Sequence, residues 1–123
     1  MPESYNQVNI VSVKEDKPVK TWKGMTRRKK VKFRNDYFQE VTLSILLYEE
    51  SPLLKQLIYA TNGAVSSLVN ATNSHDLVGK ECVVEVKHTF TGMNIYANVV
   101  SIDHIKNYVE VPDEDDEDFE DES

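Results

Sequence analysis

Ten of the fourteen Lys and Arg residues of this chain lie between Lys14 and Arg34, against only Glu15 and Asp16. That segment carries a net charge of about +8 in a chain whose formal net charge is -7. Lys20, Lys23, Arg27, Arg28, Lys29, Lys30, Lys32 and Arg34 can neutralise phosphates and release their counterions. Trp22, the only tryptophan, sits among them, and Tyr37 and Phe38 follow closely. Flat rings of this kind stack on unpaired bases, at about 1–3 kcal/mol per base. The chemistry this predicts is non-covalent binding of a nucleic-acid strand. Contact with four to six phosphates would give a log–log salt slope of about -3 to -4 on single strands. A solvated basic loop, or one that pairs with acidic residues elsewhere in the chain, is the plainer reading of the same cations. Trp22 has no apolar neighbour in sequence, so base stacking and partial core packing both fit it. Phe33 shares the face of Val31 and reads as core. Tyr37 and Phe38 alternate within one expected strand, which places one of the two in the core. Tyr96 fits either face.

The counterweight is the C-terminus, PDEDDEDFEDES, with nine acidic residues from Asp113 to Glu122. Like charges at that density repel and bury nothing, so a disordered tail is expected over 112–123, behind a domain spanning 1–111. Outside the tail stand fourteen basic and twelve acidic residues, a net near +2. The acidic overall balance therefore does not describe the folded surface. A tethered tail meets the basic segment at high effective concentration and would compete with nucleic acid for it. Asp113, Asp115, Asp116, Asp118 and Phe119 are the expected partner-binding residues. Deleting Asp113–Ser123 should tighten nucleic-acid binding, most of all at low salt. A plain solubility tail is the other reading.

Several function classes find no support. Cys82 is the only cysteine, so no intrachain disulfide can form, which suits a reducing cytoplasm. The residues after Met1 form no apolar h-region, so no secretory signal is expected, and the longest apolar run is too short to span a membrane. His75, His88 and His104 show no paired metal-ligand spacing. No phosphate-binding glycine loop, nucleophile elbow, zinc-deaminase signature or dinucleotide fingerprint is present. A disordered acidic tail cannot preorganise a metal site. The expectation is a soluble cytoplasmic protein with no enzymatic activity, cofactor or metal.

The elements that would position the cations read as follows. Tyr5–Val13 alternates with Val8 and Ile10 on one face and Val11 and Val13 on the other, as a strand with a bulge would. Asp16, Lys17 and Pro18 then break the pattern, and Gly24 marks a turn. From Lys30 to Arg34 the cations Lys30, Lys32 and Arg34 alternate with Val31 and Phe33. A strand would set these three cations on one face about 7 Å apart. Tyr37–Tyr48 is the strongest strand signal, with Val41, Leu43, Ile45 and Leu47 on one face. Asn35 and Asp36 either separate it from the preceding strand or bulge one long strand. Ser51-Pro52 opens a helix with the apolar stripe Leu53, Leu54, Leu57 and Ile58, and Asn62-Gly63 offers its stop. Residues from Ala64 to Asn73 fit a second short helix or a loop. Leu77–Ile102 reads as a hairpin turning between Thr89 and Asn94 at Gly92, and Tyr108–Val111 as a last edge strand. One short helix between the third and fourth strands of a mainly β chain predicts an OB-fold-like five-stranded barrel.

Leu77-Val78-Gly79-Lys80, then CVVEVKH, a glycine-containing turn and YANVVSI resemble the C-terminal hairpin of an uncharacterised phage protein family suspected to bind single-stranded DNA. The short helix Leu53–Gly63, the Leu77–Lys80 entry and His88 match the outline of that family, over about half the chain. The domain-plus-acidic-tail layout also resembles bacterial and phage single-stranded-DNA-binding proteins, whose tails recruit replication and repair partners. The bacterial tip ends in Pro-Phe. Here Phe119 is followed by Glu120, Asp121, Glu122 and Ser123, with no adjoining proline. The resemblance implies a sequence-nonspecific protein that coats single strands in phage DNA replication or recombination, as a homo-oligomer with a dimer favoured. An interaction module or DNA mimic, working through the tail and the basic face, is the alternative. A duplex or RNA binder is the third reading.

Overall fold

A computed structural model describes residues 1–48, 50–61 and 77–108. The chain is organised on strand β1, Ser4–Thr21, which runs for 18 residues. Its first part pairs antiparallel with β4, Glu81–Thr91, from Ser4↔Val86 to Asn9↔Glu81. Its longer second part pairs with β2, Gly24–Arg34, from Asn9↔Arg34 to Thr21↔Gly24. β2 continues into β3, Glu40–Leu46, and β4 into β5, Asn94–Asp103. The sheet order is β3-β2-β1-β4-β5, with helix α1, Pro52–Ala60, between β3 and β4.

β1 lies between two partners and is bulged twice along its pairing with β2. One extra residue enters between Ile10 and Ser12, and a second between Asp16 and Val19. The first bulge lets Val8 and Ile10 and then Val13 face the core in turn, the face switch the alternation predicted. The second lies at Asp16–Pro18, which the sequence reads as the end of the strand. The strand instead continues through it, with Pro18 at the bulge, where a missing N–H costs no ladder bond. The cations from Lys20 to Lys29 consequently lie within or between paired strands rather than in a long loop.

The core is the inner face of this curved sheet, closed by α1. Val31, Phe33, Val41, Ile45, Cys82, Val84 and Val86 are buried, with Val99 and Ile102 from β5. The Ser51 hydroxyl accepts from the Leu54 N–H at 3.4 Å and caps α1, with Pro52 in its first turn. Leu54, Leu57 and Ala60 are buried. Ile58, expected in the stripe, is exposed, and Ala60 takes the inward position. Thr61 ends the helix by donating its N–H and its hydroxyl to the Leu57 carbonyl. The proposed stop at Asn62-Gly63 and the segment from Ala64 to Asn73 lie outside the described residues.

Two further expectations need correction. The sheet is not closed into a barrel: among the described residues no ladder joins β3 to β5. β3 has only 7 residues. The Ile102 N–H on the β5 edge donates to Gln56 Oε1 of α1 at 2.7 Å, so the helix takes a bond that a β3 partner would need. The expected last strand also fails to start at Tyr108, which caps a 3-10 turn, Ile105–Asn107. Residues 109–111 lie outside the described set.

The Leu77–Lys80 entry has a structural role. Gly79 sits at φ +90° and its N–H donates to the Ile10 carbonyl at 2.8 Å, while the Ile10 N–H donates to the Lys80 carbonyl at 2.9 Å. These bonds hold the first bulge of β1, and Leu77 is buried beneath them. Among the described residues no helix is long and apolar enough to cross a membrane.

Cys82 is fully enclosed, and burial pushes its thiol pKa up to about 12. The native protein should therefore leave a thiol reagent such as Ellman's reagent unreacted, and release one equivalent only on denaturation. Rapid reaction in native buffer would show that β4 is not packed against the core.

Candidate nucleic-acid interface

The regular alternation of β2 sorts the predicted cations onto two faces. Arg27 and Lys29 share the inner face with Val31 and Phe33; Arg28, Lys30, Lys32 and Arg34 share the outer face. The second bulge places Lys20 opposite Met25, on the side of Arg27. The eight predicted phosphate contacts therefore do not form one patch.

Ion pairs divide them further. On the inner side Arg27 and Lys29 both reach Glu15, at 3.3 and 3.1 Å, and the Lys29 side chain is only 6% exposed. The Arg27 and Lys29 hydrogen bonds hold the Glu15 carboxyl below the usual range. Lys29 cannot reach a bound strand without leaving its packing. On the outer side Lys32 and Arg34 share Glu40, whose carboxyl is kept low chiefly by Arg34. At the β1–β2 tip, Lys23 pairs with Glu50 at 2.7 Å.

Arg28 is occupied by the second bulge. Its Nε donates to the Lys17 carbonyl at 2.8 Å, and its guanidinium lies 3.6 Å from Asp16. Asp16 in turn accepts from the Lys17 N–H at 2.8 Å and from the Ser44 hydroxyl at 2.6 Å. One carboxylate and one guanidinium thus satisfy the backbone groups at the bulge and tie β1 to β3 across β2. Arg28 is a structural residue.

Two outward cations remain without a carboxylate in ion-pair range among the described residues, Lys14 and Lys30. They stand directly opposite each other in the β1–β2 ladder, with Lys32 the next outward residue on β2. Lys14 was not among the predicted contacts, because the sequence reading ended the first strand at Val13. Extending the alternation by one residue would have found it. With five cations, Lys14, Arg28, Lys30, Lys32 and Arg34, against Asp16 and Glu40, the outer face of β1–β3 keeps a net charge of about +3.

Exposed aromatics stand at both ends of this row. Trp22 lies in the β1–β2 turn and is 78% exposed, with the Lys23 ammonium 5.2 Å from its ring and 5.6 Å from that of Tyr48. Tyr37 and Phe38 are 83% and 81% exposed in the β2–β3 turn, so neither is core. Asn35 separates the two strands and builds that turn. Its Oδ1 accepts from the N–H groups of Tyr37 and Gln39, both at 3.0 Å, and its Nδ2 donates to Gln39 Oε1 at 2.8 Å. Phe38 adopts φ +62°, a conformation that a bulky residue holds only under constraint. The bonds around Asn35 supply that constraint and keep both rings in solvent.

A further exposed set escaped the sequence reading. The β4–β5 hairpin runs past its last pairing with β1, Ser4↔Val86, and turns at Gly92-Met93 with Gly92 at φ +60°. Beyond that point Phe90, Met93, Ile95 and Tyr96 are all exposed. Strand alternation marks Ile95 as inward, but the sequence alone does not show where the neighbouring strand stops. The tail residues Asp113, Asp115, Asp116, Asp118 and Phe119 lie outside the described set. No protein-family profile matches the chain, and no curated protein matches it either.

The Ser44 hydroxyl, followed by the Lys17 N–H, holds the Asp16 carboxyl below its ordinary value. A depressed folded pKa contributes stability that is present above the unfolded value, about 3.9. That contribution disappears as pH falls through the folded value. The urea midpoint of the wild type should therefore fall more steeply than that of Asp16→Asn below about pH 4. Parallel curves would show that ionisation of Asp16 adds nothing to stability.

Proposed function

We propose that this chain is a sequence-nonspecific single-stranded-DNA-binding protein of OB-fold type. The observation that carries the reading is the outer row of β2, cationic at every second residue from Arg28 to Arg34, on a strand bracketed by exposed rings: Trp22 at one end, Tyr37 and Phe38 at the other. Ten residue steps from Gly24 to Arg34 give a track of about 33 Å. That suits the short end of the roughly 4–16 nucleotides an OB fold covers. Connectivity supports the same reading. A three-strand meander, a helix between β3 and β4, a β1–β4 ladder and a terminal hairpin follow the OB order, lacking only the β3–β5 closure.

The ion pairs do not argue against binding. Exposed pairs are worth about 0–1 kcal/mol, so a phosphate can exchange for Glu40 or Glu50 at little cost. They do lower the number of counterions released. The expected salt slope on single strands is therefore nearer -2 to -3 than the value for every cation in contact. The acidic segment Asp113–Ser123 would compete for the same face, and when displaced could engage replication or recombination proteins. A phage origin and a dimeric assembly accompany this reading, resting on the Leu77–Lys80 and hairpin resemblance.

A second reading, a protein-interaction module, draws on the uncharged tip of the β4–β5 hairpin with its exposed Phe90, Met93, Ile95 and Tyr96. The two readings separate in one titration. Labelled single- and double-stranded oligonucleotides are titrated across a salt series against wild type and Trp22→Ala. Single-strand binding should be preferred and salt-sensitive, and Trp22→Ala should weaken it about 5- to 100-fold, the loss of one stacked base. Absence of binding at low salt, or a variant that binds as the wild type does, would leave the interaction module as the better account.

A further inference from the structure

Lys14 and Lys30 face each other across the β1–β2 ladder on the outer face. Like charges in directly opposed ladder positions are destabilising. Among the described residues each nearby carboxylate is engaged by other groups, and only Asp16 acts on Lys30 at longer range. Asp16 is tied to Ser44, the Lys17 N–H and Arg28; Glu40 is shared by Lys32 and Arg34; Glu15 points to the inner face with Arg27 and Lys29. Neither Lys14 nor Lys30 has an ion-pair partner among the described residues, and both are exposed. The outward neighbours Ser12 and Thr42, either side of Lys32, and Ser44 beside Lys30, carry hydroxyls and no charge.

We infer that Lys14 and Lys30, with Lys32 beside them, form a phosphate-binding site that spans the β1–β2 ladder. A phosphate between the two ammonium groups removes their mutual repulsion and takes hydrogen bonds from both, so binding and relief of strain come together. In the nucleic-acid setting this rests on the reading above and fixes the course of the strand. The backbone follows the β1–β2 ladder towards the Trp22 tip. It keeps to the β1 side of the row, because on the β3 side Glu40 competes for Lys32 and Arg34. Lys14 is then a primary contact, and Arg28 and Lys29 are not contacts.

Two measurements test this separately. In the first, the melting temperature of the DNA-free full chain is compared in inorganic phosphate and in chloride at equal ionic strength. The wild type should melt higher in phosphate. Lys14→Gln and Lys30→Gln should lose that difference and, in low-salt chloride, melt about 1–5 °C above the wild type. Lys55→Gln, on the exposed side of α1, should behave as the wild type. In the second, each variant is titrated with a labelled single-stranded oligonucleotide. Lys14→Gln and Lys30→Gln should bind about 3- to 10-fold more weakly, with the salt slope reduced by about 0.7 each. Variants that keep the full phosphate stabilisation, or a wild type that shows none, would overturn the site. A lost phosphate effect in a protein that binds no oligonucleotide would support the site and reject the single-stranded-DNA reading. Full oligonucleotide affinity in both variants, from a protein that does bind, would reject the proposed path of the strand.

Discussion

The second bulge of β1, and the carboxylate that holds it, is the constraint on which the rest of the basic surface depends. An 18-residue strand cannot stay paired to a curved sheet without taking up extra residues, and each extra residue frees backbone groups. At Asp16–Pro18 those groups are met locally. Asp16 accepts from the Lys17 N–H, Arg28 donates to the Lys17 carbonyl, and Pro18 has no N–H to satisfy. Because Asp16 also takes the Ser44 hydroxyl, the bulge is fastened to β3 across β2. This lets β1 continue as a paired strand to the Trp22 turn. Cations that would otherwise sit in a loop become an ordered surface.

That order has a consequence for charge. A flexible basic loop would present all its cations to any polyanion. A paired ribbon assigns each to a face and a neighbour. Glu15, Glu40 and Glu50 each take cations, and the hydrogen bonds from Arg27, Arg34 and Lys23 hold these carboxyls below their ordinary values. What remains is a narrow outward row with Lys14 and Lys30 at its centre and rings at its ends. Individually these interactions are small, since surface pairs contribute about 0–1 kcal/mol. Their effect is on where a ligand fits more than on how stable the fold is.

Much of the fold was legible because burial enforces alternation. Val8 and Ile10, Val31 and Phe33, Val41 and Ile45, and the helix start at Ser51-Pro52 all follow from period and capping chemistry. So did the outward row of Lys30, Lys32 and Arg34. The misreadings share a cause: they depend on partners distant in sequence. Pro18 reads as a breaker until a bulge accommodates it. Tyr37 and Phe38 read as strand residues until Asn35 folds the turn beneath them. The barrel reading missed that Gln56 of α1 would bond the β5 edge at Ile102. Ion pairs with Glu15, 12 residues from Arg27, and with Glu50, 27 residues from Lys23, were invisible to a reading of local charge.

The central claim is that a single strand lies on the outer face of the β1–β2 ladder, and lysine footprinting tests it most directly. The full chain is acetylated with and without a saturating short oligo-thymidylate, and the modification of each lysine is read by mass spectrometry. The account predicts protection of Lys14, Lys30 and Lys32, with Lys55, Lys80 and Lys106 unchanged. Unaltered reactivity at Lys14 and Lys30, with protection elsewhere, would contradict it.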